Sequence, residues 1–361
     1  MSLARCSAAA VVAGLVLVLG SAAPAAAHGG RGGGATNFVT EITGVTPALR
    51  GVRVKVIEAG DRLELRNDSA TDVIVTGYAG EAYLRVGPGG VFENTSSPTT
   101  FLNRTRDGQA ETGGDAAAAP VWRRTSAAAT ARWFDHRTHW TGAELPAEVK
   151  TAPGRPHLIH SGWKVPLTQG DTTSAVTGDL RWQPGPSPAP WLVLASAVGL
   201  ATAALSLSRR WGPVLAVVTL ALLGADLVHT FATAFAGSGR VGQHLLDVVT
   251  GSSYASVGWV FAVMAVRLLR RQNTDGLYAA VFAGLSMALF GGLLDLTSLS
   301  RSVVPLALPL WVGRLCVALA LGLGVGLALA AVVLIRRTPN EGGALSSGAG
   351  MPEPSSPLRP A

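Results

Sequence analysis

Cysteine is nearly absent from this chain. Of its two cysteines, Cys6 lies in an N-terminal leader and Cys316 in an apolar stretch near the other end. The polar region between them therefore has no disulfide, and a thiolate metal site is excluded there. At about 150 residues, that region is long enough to be held by its own core. Charged residues are scarce too, 14% of the chain against 48% hydrophobic. The net charge of +7 comes from arginines spread over loops and helix ends. No run of sequence forms the dense basic patch with interleaved aromatics that a nucleic-acid partner requires. Catalytic signatures are missing as well: there is no G-x-S-x-G elbow, H-E-x-x-H, Walker loop or dinucleotide fingerprint. The chain reads as a non-enzyme.

What is present is a layout. Arg5 precedes the uncharged apolar run Val11 to Leu19, and Ala25 to Ala27 supply the small residues of an export cleavage site. Residues 1–27 read as a signal peptide, and cleavage makes His28 the new N-terminus. A Gly-rich arm follows at 28–34, then a polar domain at 35–183, a Pro-rich linker at 184–190 and an apolar region at 191–337. The Gly, Ser and Pro-rich end, 338–361, reads as a disordered cytoplasmic tail.

About 20 apolar residues span a bilayer. On that rule five crossings are expected, at 191–207, 213–235, 248–269, 276–296 and 311–335, with Pro305 and Pro309 marking an interfacial segment before the last. Arginine pairs follow the first, third and fifth: Arg209-Arg210, Arg270-Arg271 and Arg336-Arg337. Basic residues collect on the cytoplasmic side. This predicts a multi-pass protein of the cell membrane with its N-terminal domain extracytoplasmic and its C-terminus cytoplasmic.

The polar domain alternates at period two. Val52 to Val56 and Arg62 to Arg66 are half-buried strands around the turn at Gly60, and Asp72 to Gly77, Ala82 to Val86 and Val91 to Asn94 continue the series. Ala131 to His136, Gly162 to Leu167 and Ala175 to Trp182 supply later strands. Such spacing predicts an antiparallel β-sandwich of immunoglobulin or cupredoxin type, with Gly108 to Pro120 a mobile insertion.

Histidines point to the outer face. His136 and His139 flank Arg137-Thr138, and imidazole with carboxylate suits copper(II) or zinc. Residues three apart on an extended strand face opposite sides, so these two share an ion only if a turn separates them. The alternative is a pair of strand-end histidines hydrogen-bonded beside the aromatic core. At an N-terminal His28, the α-amine and ring could chelate copper together. In the apolar region Asp226 and His229 lie three apart near the outer end of one helix, and His244 and Asp247 three apart where the next begins. Asp295 lies at an outer end and Arg314 within an apolar run. Gly284, Ala288 and Gly291 share a stripe with Asp295, and Ala318, Gly322 and Gly326 share one with Arg314, so both stripes should pack within the bundle. Buried charges need partners, and Asp226, His229 and Arg314 are expected to meet. Metal entry, a proton relay or a structural ion pair would each suit the group.

Three segments carry a family resemblance: Gly77-Tyr78-Ala79-Gly80-Glu81-Ala82-Tyr83-Leu84, Asp135-His136-Arg137-Thr138-His139-Trp140 and Gly178-Asp179-Leu180-Arg181-Trp182. In these the mature chain resembles uncharacterised exported multi-span membrane proteins of high-GC Gram-positive bacteria. A looser likeness, carried by His28 and the helix-borne histidines, is to bacterial copper-resistance proteins. There an exported β-sandwich beginning with His accompanies an outer-facing helical domain. The Met-rich copper(I) motif is missing, since only Met264, Met287 and Met351 follow the leader. The resemblance implies a protein that binds a metal ion such as copper at the outer face. The competing expectation is a module for an envelope ligand or extracytoplasmic protein partner, with the helices as anchor and signal transmitter and no metal role.

Overall fold

The structure is a computed structural model that describes residues 34–337, apart from 109–112, 238, 240 and 252. Residues 1–27, expected to be a signal peptide, most of the Gly-rich arm with His28, part of the 108–120 stretch and the C-terminal residues 338–361 lie outside the described residues.

Ten strands build the N-terminal domain: β1 Phe38–Thr46, β2 Val52–Ile57, β3 Arg62–Asn67, β4 Val73–Thr76, β5 Ala82–Gly87, β6 Gly90–Asn94, β7 Trp122–Ser126, β8 Thr130–Phe134, β9 His157–Gln169 and β10 Thr172–Trp182. All pairings are antiparallel. One sheet runs β1-β10-β9-β4-β5-β6-β7 and a smaller one β2-β3-β8. Alternation in β2, β3 and β8 turns Leu63, Leu65, Ala131 and Trp133 inward with Val52, Val54 and Val56 packed beside them. They meet Val73, Val86, Trp163, Leu167 and Val176 of the larger sheet in one core. Short helices α1 (Pro98–Leu102) and α2 (Ala147–Thr151) cap loops.

Among the described residues the helical stretches that follow are α3 Ala189–Ala204, α4 Trp211–Ala234, α5 Val241–Gly251, α6 Ser253–Leu269, α7 Asp275–Met287 and α8 Leu310–Arg337. Four apolar segments are long enough to cross a membrane: Ala189–Leu207, Trp211–Ala234, Asp275–Leu293 and Leu310–Arg337. Among the described residues, the third expected crossing, 248–269, lies on α5 and α6, with Ser256–Leu269 a shorter apolar helix. Its end nevertheless returns to the far end of the bundle, because a Cβ added to Gly212 at the start of α4 would meet the Leu269 carbonyl. The segment before α8 is non-helical, as its prolines require.

The small-residue stripes do pack closely. Gly322 and Gly326 of α8 lie against Ala195, Gly199 and Thr202 of α3, while Gly324 meets Gly284 of α7. Without side chains between them the backbones approach, and the gain is dispersion contact rather than water release.

The domain is tied to the bundle at Thr36 and Asn37. Thr36 and Val303 exchange main-chain hydrogen bonds of 2.8 and 2.9 Å. Ser302 N donates to Asn37 Oδ1 at 2.9 Å, and Gln183 N to Asn37 O at 2.8 Å. The α7–α8 connection thus makes an isolated antiparallel bridge with the segment just before β1.

Candidate functional site

Directly after β8 the chain folds into a knot around Asp135. This carboxylate is fully buried. It accepts from Trp133 Nε1 at 3.0 Å and from Arg137 Nε and Nη2, both at 2.7 Å. The Asp135 carbonyl accepts from Thr138 N and Oγ1, closing a turn. That turn brings the two imidazoles together, with ring centres 5.6 Å apart and planes at 88°. His136 also stacks on Tyr78, whose hydroxyl accepts from His136 N at 2.9 Å and donates to Asn103 Oδ1.

His136 Nε2 faces the Thr105 carbonyl at 3.1 Å and His139 Nε2 the Arg106 carbonyl at 2.7 Å. A ring nitrogen facing a carbonyl must carry the hydrogen, so in a neutral ring Nδ1 is the acceptor. Burial holds His139 below the ordinary imidazole pKa, against the opposing pull of the Arg106 carbonyl. Burial, then the charge of Asp135, pushes the Tyr78 hydroxyl well above its usual value. Burial works to lower Arg137, but the hydrogen bonds and charge of Asp135 raise it overall. The knot is thus a buried network in which Asp135 gathers Trp133, Arg137 and Thr138.

From the knot, contacts lead toward the helices. Thr40 Oγ1 donates to the Thr138 carbonyl at 2.6 Å, and Arg106 Nε pairs with Asp61 Oδ1 at 2.6 Å. Asp61 closes the turn Glu58–Gly60, where Glu58 (φ 53°) and Ala59 (φ 58°) both sit in the left-handed region. Two successive non-glycine residues there store strain, which the surrounding packing must hold. The turn forms one wall of a cleft of about 600 Å³, with Val39, Thr40 and Lys55–Ile57 beside it; the opposite wall is Ala236, Gly237 and Val303 from the helical part. Burial pushes the Glu58 carboxyl above its ordinary range, although Arg62 opposes this.

Inside the bundle the acids divide. Asp226, 1% exposed, accepts from Trp259 Nε1 of α6 at 2.5 Å. Its other oxygen rests on Gly291, where any Cβ would overlap it. Gly291 belongs to a π-helical turn, Ala288–Leu293, that prolongs α7. His229 Nε2 meets Asp295 Oδ2 at 3.0 Å. Arg314 donates to main-chain carbonyls, Nη2 to Arg301 at 2.8 Å and Nε to Ser298 at 3.4 Å. The expected meeting of Arg314 with Asp226 is therefore not made. On α8 the residue beside Gly291 and Asp226 is Ala320. Six residues separate it from Arg314, which at 3.6 per turn puts the two about 120° apart around the helix.

Of the other expected ligands, His244 is buried with Nδ1 2.8 Å from the Ala234 carbonyl and its ring 4.8 Å from that of Phe235. Asp247 is half-buried on the same helix. Among the described residues no group of three or more His, Cys, Asp or Glu side chains is placed to hold a metal ion. Sequence reasoning passed over Trp259, Asn103 and Arg106. An indole in an apolar helix and an arginine in a loop carry no local pattern, although Tyr78 lay within a segment already singled out. Compared with family models, with curated proteins and with solved structures, the chain gives no match.

Proposed function

We propose that this is an extracytoplasmic binding module whose state is passed to a membrane bundle through the α7–α8 connection. One observation carries the reading: residues 295–307 are held from three sides. Asp295 is bound by His229 of α4, Ser298 and Arg301 by Arg314 of α8, and Ser302 and Val303 by Thr36 and Asn37 of the β domain. Ala307 N adds a bond to the Ala232 carbonyl at 2.8 Å. Val303 also lines the cleft, so an occupant there touches the element that joins domain to helices. A plain anchor needs no such joint.

The reading takes the β domain as a sandwich of immunoglobulin or cupredoxin type, outside the cell. It takes α3, α4, α5 with α6, α7 and α8 as five crossings and the C-terminus as cytoplasmic. The three arginine pairs support that orientation. Asn37→Ala removes the side-chain acceptor of Ser302 without touching any helix. Amide hydrogen exchange of the full chain then tests the joint: protection should fall in 296–303 and in the first turns of α8. Loss confined to residues 35–38 would leave the helices as anchor alone.

Outer-face handling of a metal such as copper stands as the second reading. The observation favouring it is the His136–His139 ring pair, each Nε2–H fixed by a carbonyl as in metal-ligating histidines.

A further inference from the structure

The small sheet presents a face that no single stretch of sequence reveals. With the inward residues of β2, β3 and β8 in the core, the alternate positions point outward, and they include Arg53, Lys55, Arg62, Arg66 and Arg132 with one acid, Glu64. These charges are organised. Asp68, just after β3, accepts from Arg53 Nη2 at 2.6 Å and Arg66 Nε at 2.7 Å. Glu64 pairs with Lys55 Nζ at 3.0 Å and Arg132 Nε at 2.6 Å. Each carboxylate thus holds two cations and leaves one positive charge uncompensated. Arg62 pairs with Glu58 at 3.3 Å and lies over the Phe134 ring at 4.0 Å. Five cations against three carboxylates leave two net positive charges on the face. The Arg53 and Lys55 side chains remain 71% and 64% exposed.

Lys55 leads from this face into the cleft. The cleft's opposite wall fixes its depth: Ala236 and Gly237 directly follow the apolar segment ending at Ala234, and Val303 lies between the segments that end at Leu293 and begin at Leu310. The cleft therefore opens at the ends of the apolar helices, where phospholipid headgroups lie. Beside Lys55 the cleft is lined by apolar Val39, Val56, Ile57 and Val303 and by polar Thr40 and Glu58, the last paired with Arg62. A guanidinium has five N–H donors, and those that Asp68 and Glu64 leave unused suit phosphate oxygens.

We propose that this basic face and the adjoining cleft bind the phosphate headgroup of an anionic phospholipid, its acyl chains remaining in the bilayer beside α4. This names the ligand class for the binding module proposed above, and rests on that reading for the position of the domain at the membrane. A neutral headgroup would leave the two positive charges unanswered, and free phosphate would leave the apolar lining uncovered.

The test uses the full chain in a non-ionic detergent, titrated separately with dioleoylphosphatidylglycerol, dioleoylphosphatidylcholine and inorganic phosphate, with bound lipid read by native mass spectrometry. Phosphatidylglycerol should be retained at least tenfold more tightly than phosphatidylcholine, and phosphate at equal concentration should not displace it. Arg53→Gln with Lys55→Gln, both on exposed stems, should remove most of that preference while leaving the thermal midpoint without lipid unchanged. Val303→Trp, which fills the cleft, should weaken binding with the basic face intact. Equal retention of both lipids, displacement by phosphate, or an unchanged preference in the double variant would overturn the proposal. The exchange experiment on Asn37→Ala needs no lipid, so loss of coupling there and loss of lipid preference here are read separately.

Discussion

Gly291→Ala should be among the most damaging one-methyl changes in the bundle, and the reason is Asp226. A Cβ at position 291 would overlap Asp226 Oδ1, because the π-helical turn has set the α7 backbone against the carboxylate. Asp226 is 1% exposed and cannot swing into solvent. It must rotate away, which loosens its bond from Trp259 Nε1. Overpacking a tight site costs roughly 1–3 kcal/mol, and polar bonds between membrane helices are worth about 0.6–1.7 kcal/mol. Together the variant should lose about 2–4 kcal/mol. In an Asp226→Ala background the added methyl meets vacated space, and its cost should fall below about 1 kcal/mol. Unfolding of the full chain by SDS titration in mixed micelles measures all four corners of the cycle. If the two single losses simply add in the double variant, Asp226 and Gly291 do not share a site and the packing argument is wrong.

The neutral His139 makes stability depend on pH. Its folded pKa lies below the unfolded 6.5, so the unfolded chain binds more protons as the pH falls. The thermal midpoint should fall as pH drops below about 6.5, and His139→Gln should flatten that slope; an unchanged slope would place the dependence elsewhere. Arg314→Leu should free the Ser298 and Arg301 carbonyls and speed amide exchange in 296–303, whereas Arg314→Lys keeps a donor and should recover part of the protection. Equal exchange in both variants would show that the guanidinium does not hold the connection. Zinc(II) or copper(II) added to chain lacking His28 should leave the thermal midpoint unmoved if His136 and His139 are structural. A rise that His136→Ala abolishes would favour the metal reading instead.

Much of the architecture was legible because it rests on local periodicity. Alternation placed eight of the ten strands near their observed positions, and the apolar runs located the four long membrane segments. β1 and β7 were missed: Phe38–Thr46 and Trp122–Ser126 carry no clean two-residue alternation and become strands by pairing with β10 and β6. The prolines before α8 and the small-residue stripes both acted through spacing along one chain segment. Those are the features that sequence by itself determined.

Partnership was decided by the tertiary structure alone. That His136 and His139 face one another depends on a turn closed by Asp135, and that turn depends on Arg137 and Trp133 reaching the same carboxylate. His229 finds Asp295, Asp226 finds Trp259 and Arg314 finds bare carbonyls because helix rotation fixes which residues meet. The basic face is the clearest case. Its cations come from three strands, diluted in sequence by intervening apolar residues and joined only by strand register. Charge along a chain is one-dimensional, whereas the field a ligand meets is summed over neighbours in space.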